Sequence, residues 1–425
     1  MKKLKYLFPT SWNIIILSAI VGTAMYFAAD LFLKLIHFIS NLAFSQILSV
    51  DGKQAIHGHH IIIIFVPILG SLFLGLLARY YDDRIRGHGI PEVIERIELH
   101  ESKIPMRLLW LRPIACAISI GTGGPYGAEG PVIGMGAALG SIIAQKLKLD
   151  HEERKILLAA GAAAGISAVF GTPVGAVFLV VELFLGSHSL KSLVPIATAS
   201  LCAFIMRSTM LGVQPLFPLI STALPVNLDT IIAFSLMGIV LGAVAALSIH
   251  IIEYIERGYE ALPVHWMWWP MIGVIPLSIS AYFFPNLLGP SYELLSSLLT
   301  NQTDYSLLIK LAILKGIVWM FAVSSRTTGG TLAPLVIFGS GVGLYFFTLE
   351  ASWFSLSPAM FTAAALIGGG AFFGSISGAP ISSALIVLEM SGALHLLPLS
   401  FGTCILAVLV TKSLASKTIM HTQYT

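Results

Sequence analysis

From Trp12 to Val410 the chain is a near-continuous succession of apolar runs, and Gly or Pro interrupts many of them before they could cross a bilayer. The runs cover 12–44, 60–81, 108–121, 131–147, 156–168, 173–186, 190–211, 230–256, 265–284, 306–323, 331–349, 359–373, 380–391 and 394–411. A spanning helix needs about 20 residues, so segments such as 108–121 and 380–391 are too short to cross alone. Short hydrophobic segments broken by Gly and Pro mark discontinuous helices that meet near the bilayer midplane. Unwound backbone is tolerated there only when protein buries it or when it lines a wet cavity. Composition agrees: 11% of the 425 residues are Asp, Glu, Lys or Arg, against about 25% in a soluble domain. The sequence therefore predicts an all-α polytopic membrane protein of tilted and discontinuous helices, with no strand or coiled-coil pattern.

The few charges gather between runs and orient the chain. Lys2, Lys3 and Lys5 precede the first run, Arg79, Arg84 and Arg86 follow the second, and Lys146, Lys148, Arg154 and Lys155 crowd residues 146–155. The positive-inside rule then assigns the N-terminus and loops at 82–86 and 146–155 to the cytoplasm. The first run is too long for the core of a signal peptide and reads as a retained membrane helix. Within it, Asp30 and Lys34 stand four residues apart and are expected to pair. His57, His59 and His60 fall on the opposite side and read as a solvated loop, since no acidic or Cys partner completes a metal site. Cys116, Cys202 and Cys404 lie singly in apolar runs, as small buried hydrophobes do. A net charge of +3 gives no reason to expect a nucleic-acid partner. About a dozen residues follow Lys412, so no soluble domain is expected.

The second half repeats the first. Gly171-Thr172-Pro173 opens an apolar segment that ends at Glu182, and Gly378-Ala379-Pro380 opens one that ends at Glu389; nine residues separate Pro from Glu in both. Gly161 and Gly368 each stand twelve residues before that proline, and Gly130-Pro131 and Ala333-Pro334 stand 42 and 46 residues before it. This spacing predicts two inverted membrane repeats, 1–215 with motifs at 87–91 and 127–131, and 216–425 with a motif at 330–334. Transporters built in this way place their ion site where the repeats meet.

Three segments share one design, glycines followed by a helix start: Gly87-His88-Gly89-Ile90-Pro91-Glu92, Gly127-Ala128-Glu129-Gly130-Pro131, and Gly329-Gly330-Thr331-Leu332-Ala333-Pro334. Pro suits the first helical turn, where the amides have no internal partner, and glycine lets an ion approach the backbone closely. Each helix start offers free N–H groups and the positive end of the dipole, about half a charge. Several such termini aimed at one point form an anion site, and partial charges bind an ion without trapping it. Glu129 is an ionisable group set among glycines in an apolar stretch, which defaults to function. Its carboxylate can occupy the anion seat as a tethered plug. Gly136 and Gly140, four apart, read as helix-packing positions. A dinucleotide fingerprint at Gly121-Thr122-Gly123-Gly124 fails, because no strand precedes it.

In this order and setting, GHGIP at Gly87–Pro91, GAEGP at Gly127–Pro131 and GTLAP at Gly330–Pro334 resemble the GSGIP, G(K/R)EGP and GxFxP patterns of the CLC family of chloride channels and chloride/proton exchangers. The resemblance extends over about residues 15–415 and implies a CLC-type fold, bacterial in type without appended regulatory domains. It also implies a homodimer with one ion pathway per subunit. Carried over by position, Glu129 matches the external gating glutamate. His88 takes the place of the serine that coordinates the central anion, with Gly89, Ile90 and Gly130 as backbone positions of the anion site. Thr331 and Leu332 match the pair whose amides face the anion from the second half. Ala128 replaces the basic residue of the second motif, and Leu332 the phenylalanine of the third. The exchangers' internal proton-relay glutamate falls at Leu183, which leaves Glu182, one residue away, as the candidate for a proton path. One residue is a turn of about 100° on a helix. The family's central tyrosine aligns with Met420.

The expected function is transport of chloride, or another small inorganic anion, as a substrate across the cell membrane, with Glu129 as gate and no cofactor or metal. The two apolar replacements, Leu183 and Met420, favour channel-like or weakly proton-linked flux; a coupled chloride/proton antiporter is the alternative. A distant alternative, an intramembrane enzyme, would need a facing pair such as Ser340 and His395.

Overall fold

In the computed structural model, which describes residues 12–52, 60–87, 89–186, 189–218, 224, 227–300, 305–350 and 358–415, the apolar runs are helices throughout. The described residues of the first half form α1 (Trp12–Ser40), α2 (His60–Tyr80), α3 (Ile90–Leu99), α4 (Leu108–Gly121), α5 (Glu129–Lys146), α6 (His151–Phe170), α7 (Pro173–Val180) and α8 (Leu190–Leu211). The second half forms α9 (Leu228–Glu260), α10 (Trp269–Phe283), α11 (Tyr292–Leu299), α12 (Tyr305–Ser324), α13 (Leu332–Glu350), α14 (Pro358–Ser377), α15 (Pro380–Ser391) and α16 (Leu397–Leu414). Among the described residues, eight helices are long and apolar enough to cross a membrane, and α4, α7 and α15 are shorter apolar pieces. The predicted class, all-α with discontinuous helices, is the class observed.

Each spanning helix is apolar on both its faces, for different reasons. On α1, Ile14, Ser18, Val21, Gly22, Met25, Ala29, Phe32 and Ile36 form the buried stripe at three- and four-residue spacing. Ile16, Ile20, Phe27 and Leu31 stand exposed on the other side, which suits a face turned to lipid. The inner stripe relies on small residues: Gly22 lies against the Ala199 backbone of α8, and Gly136 and Gly140 of α5 lie against the backbone of Gly161 and Leu157 on α6. Such contacts let helix backbones approach closely. From Ile156 to Phe170, α6 is buried on every side, as a helix surrounded by others must be.

Two local expectations change. The basic segment 146–155 is not all loop, because His151 already begins α6. The Asp150 carboxylate accepts the Glu153 amide at 2.8 Å, so residues 150–153 are a helix cap written in sequence. The helix α11 was not foreseen; it falls in the gap between two runs. Asp30 and Lys34 pair as expected, at 2.7 Å. Lys2, Lys3, Lys5, His57, His59 and Met420 lie outside the described residues, as does the side chain of His60.

The two sets of eight pack alike. α5 lies on α6 as α13 lies on α14, α6 on α8 as α14 on α16, and α1 on α8 as α9 on α16. The sets also meet reciprocally. Glu182, just past α7, accepts the amides of Ile381 and Ser382 at the start of α15, at 3.1 and 2.9 Å, and the Ser382 hydroxyl at 2.6 Å. Glu389, near the end of α15, accepts the amides of Val174 and Gly175 at the start of α7, at 3.1 and 2.7 Å. Both helices begin with proline, which has no N–H, so the next two amides are the first that need acceptors. Nine residues of helix span about 13 Å, and antiparallel packing then brings each terminal glutamate to the other helix's start. This reciprocity is the inverted symmetry of the fold.

Glu389→Ala and Glu182→Ala each leave two helix-start amides without an acceptor. Losing hydrogen bonds to a charged group costs about 1.5–3 kcal/mol, and each variant is expected to lose stability in that range. The two sites lie at opposite ends of the helix pair, so the double variant should be additive to within about 0.5 kcal/mol. Unfolding in detergent, followed by circular dichroism, measures both effects.

Candidate functional site

Two glycines at the centre of the molecule hold the halves together back to back. The Gly127 amide donates to the Gly330 carbonyl at 3.0 Å, and the Gly330 amide returns a bond to the Gly127 carbonyl at 3.0 Å. This bridge sets the starts of α5 and α13 side by side. Neither position has room for a side chain: a Cβ on Gly330 would stand 2.5 Å from the Gly127 oxygen and 2.9 Å from Glu129 Cδ, and one on Gly127 would strike the Glu129 carboxylate.

Glu129 opens α5 and is 1% exposed. Its side chain crosses the bridge to the other half. One carboxylate oxygen, Oε1, accepts the Ala333 amide at 2.8 Å, and the Leu332 amide also faces the carboxylate. The other oxygen, Oε2, is buried with no hydrogen-bond partner among the described residues. The α13 start has few donors to offer, because Pro334 has no N–H. Its free amides are those of Thr331, Leu332 and Ala333, and the carboxylate sits where an anion would collect them.

The third loop approaches from the first half. Gly87 and Gly89 take φ of 83° and 93°, conformations that glycine adopts without strain. The Gly87 amide donates to the Arg326 carbonyl at 3.0 Å. Gly89 caps α3, and a Cβ there would lie 3.1 Å from the Gly130 oxygen. Ile90 and Pro91 follow as the buried first turn of α3. Gly89, Ile90, Gly130, Glu129, Thr331 and Leu332 therefore belong to three abutting loop–helix junctions. His88 lies outside the described residues. Glu182 does not take part: both its oxygens are committed to α15. Ser340 is fully buried in α13 while His395 is exposed at Leu394–Leu396, so they do not form a facing pair.

Four residues at or behind the junction escaped the sequence reading. Ala333, not Thr331, donates the bond to Glu129; counting the free amides before Pro334 would have found it. Arg112 on α4 is 5% exposed and ion-paired with Glu92 of α3. A Cβ on Gly89 would lie 3.8 Å from the Arg112 Nε, so a full positive charge stands directly behind the glycine junction, held by a carboxylate. Its signal was an arginine inside an apolar run. Tyr292, at the start of α11, has a buried hydroxyl with no partner among the described residues. It faces the Ala128 amide and the Glu129 charge. Lys315 on α12 is fully buried and donates to the carbonyls of Leu287, at 2.7 Å, and Gly289. It thereby ties down the turn that leads into Tyr292.

Residues 70–412 match the family described as voltage gated chloride channel. Among similar proteins, the H(+)/Cl(-) exchange transporter ClcA of Vibrio campbellii is 26% identical over 420 residues, 95% of this chain and 88% of its own length. The voltage-gated ClC-type chloride channel ClcB of Escherichia coli is 22% identical over 353 residues, 83% of this chain and 84% of its own. Among solved structures, a slow cyanobacterial Cl−/H+ antiporter superposes with a TM-score of 0.82 at 22% identity, covering 96% of both chains.

The Arg112–Glu92 pair makes a separable prediction. Removing one partner of a buried ion pair typically costs about 3–5 kcal/mol, whereas replacing both by apolar residues can be neutral. Arg112→Met and Glu92→Met are each expected to lose that much stability, and the double variant to recover only part of it, because Arg96, 3.9 Å from the Glu92 carboxylate, loses its partner too. Thermal unfolding in detergent reads the cycle.

Proposed function

The chain belongs to the voltage-gated chloride channel family, and on that premise we propose that it carries chloride across a membrane in exchange for protons. Membership in a family of channels and transporters sets aside the enzyme reading. The observation that carries the proposal is the seat of the Glu129 carboxylate: on the amides of Leu332 and Ala333, across the Gly127–Gly330 bridge, with Oε2 unpartnered.

Carboxylate and chloride compete for one set of amides. The ionised Glu129 fills the seat and closes the path. A proton removes its charge, and with it the attraction to the positive helix end. The neutral side chain leaves, and a chloride takes the freed amides. When Glu129 releases its proton on the other side it returns and displaces the ion. In this scheme Glu129 is both gate and proton carrier, Gly89, Ile90, Gly130, Thr331 and Leu332 form the backbone of the anion site, and His88 supplies an imidazole donor from the first half. The halves are the repeats 1–215 and 216–425, and the protein works as a homodimer in the cell membrane.

The relatives named exchange transporters support the coupled reading over a channel-like one. The channel reading retains one observation in its favour: Leu183 is apolar, and Glu182 beside it is held by α15, so a second proton-carrying acid is not evident in the turn after α7. Glu182 serves a proton path only by leaving its cap.

Purified protein in liposomes decides between them. With a chloride gradient and no pH gradient, exchange drives protons uphill, whereas a channel moves chloride alone. Glu129→Gln keeps the shape of the plug without its charge. The variant is expected to retain chloride flux, to lose proton movement, and to lose the rise in flux that acid produces in the parent. Proton pumping that survives Glu129→Gln rejects Glu129 as carrier. Fluoride and nitrate in the same assay test the assignment of chloride.

A further inference from the structure

A second pair of cations stands one residue outside the Gly87–Pro91 loop. Arg86 ends the turn Asp83–Ile85 and immediately precedes Gly87. Its guanidinium lies over the Trp266 ring, 4.2 Å from the centroid, and 5.8 Å from that of Trp269. Its Nε and Nη2 are buried and find no hydrogen-bond acceptor among the described residues. The neighbouring carboxylates bond other cations, Arg326 itself among them, and none accepts from Arg86. Asp82 bonds Arg84 at 2.8 Å and Arg107 at 2.8 Å, and Glu260 bonds Arg326 at 3.0 Å. Asp83 is exposed, and Glu256 faces Arg326.

Arg326 is the second cation. It takes a φ of 56°, a left-handed conformation that favours glycine over a long side chain. Its carbonyl accepts the Gly87 amide, so the loop before α13 and the loop before α3 meet at these two arginines. A cavity of about 10 Å³ lies among Arg86, Arg326, Trp266, Thr327 and Thr328, about what one water-sized occupant requires. Burial and the charge of Arg326 pull Arg86 down to about 10, so it stays cationic at neutral pH.

Buried guanidinium donors with no acceptor, beside a like charge, are an unfavourable arrangement that an anion would relieve. The stacking on tryptophan offsets part of that penalty but gives the N–H groups no acceptor. We propose that Arg86 and Arg326 form a separate seat for one halide ion at the mouth of the Gly87–Pro91 loop. The seat is built from side chains, unlike the amide cradle at Glu129. Its place beside Gly87 lets it concentrate the anion next to the loop that leads inward, as a positive patch with low-dielectric walls does. This inference rests on the reading of the chain as an anion transporter.

Bromide in place of chloride tests it, through anomalous diffraction from crystals of the full chain. The expected result is a peak in contact with the Arg86 guanidinium, absent in Arg86→Gln. A peak at the Glu129 cradle with none at Arg86 overturns the proposal and leaves the transport reading intact. A peak at Arg86 that persists in Arg86→Gln also overturns it, as an adventitious ion only. In liposomes, Arg86→Gln is expected to raise the chloride concentration for half-maximal flux about tenfold, with Arg86→Lys intermediate. An unchanged half-maximal concentration counts against the seat. A parent protein that binds bromide at Arg86 but carries no halide refutes the transport reading instead.

Discussion

At membrane depth every backbone amide must find a partner inside the protein, and a chain of broken helices makes that demand at each break. The first amides of a helix have no internal acceptor. In this protein the starts of α7, α13 and α15 all receive the same answer: a carboxylate from the opposite half. Glu389 serves α7, Glu182 serves α15 and Glu129 serves α13. The two halves are held in register by these exchanges of charge for amide as much as by apolar packing.

The three carboxylates differ in how firmly they are held. Glu182 takes two amides and a hydroxyl, and Glu389 takes two amides. Both use both oxygens. Glu129 takes one hydrogen bond, from the Ala333 amide at the α13 start, and leaves Oε2 buried with no partner among the described residues. A buried carboxylate oxygen without a donor is destabilised relative to one fully satisfied. The same motif, carboxylate on helix start, is thus fully satisfied in two places and only partly satisfied in the third, the one proposed to be displaced. Glycine at Gly127 and Gly330 completes the difference, since only a bare backbone lets the side chain lie across the bridge.

Much of this was legible before any coordinates. Proline followed nine residues later by glutamate, twice, revealed the repeat, and the reciprocal caps are its physical content. Glycines before Pro91, Pro131 and Pro334 marked the three junctions. Gly136 and Gly140 marked the contact of α5 with α6. What stayed hidden depended on partners distant in sequence. Arg112 and Glu92 are twenty residues apart on different helices, and nothing local announces that they neutralise each other. Tyr292 and Lys315 sit on helices whose own pattern says only that they are apolar. Helix α11, eight residues from Tyr292 to Leu299, lacks the length that makes a run stand out. The start of α6 was misjudged for a different reason: the charges of a capped first turn resemble those of a loop.

The buried cations behind the junctions already have partners of their own. Arg112 stands behind Gly89, but Glu92 is its direct partner. Lys315 spends its donors on carbonyls of the turn before α11. In the proposed scheme backbone amides supply most of the donors to the ion, and partial charges bind weakly enough to release it. A bare lysine in the cradle would deepen the well and slow departure. A transported ion must arrive and leave in each cycle, so the proposed transport favours shallow binding beside screened charge. The same reasoning explains why a carboxylate suits the proposed plug. It matches a halide in charge and accepts the same N–H groups. It differs in being tethered, and a proton can cancel its charge where nothing can cancel that of chloride.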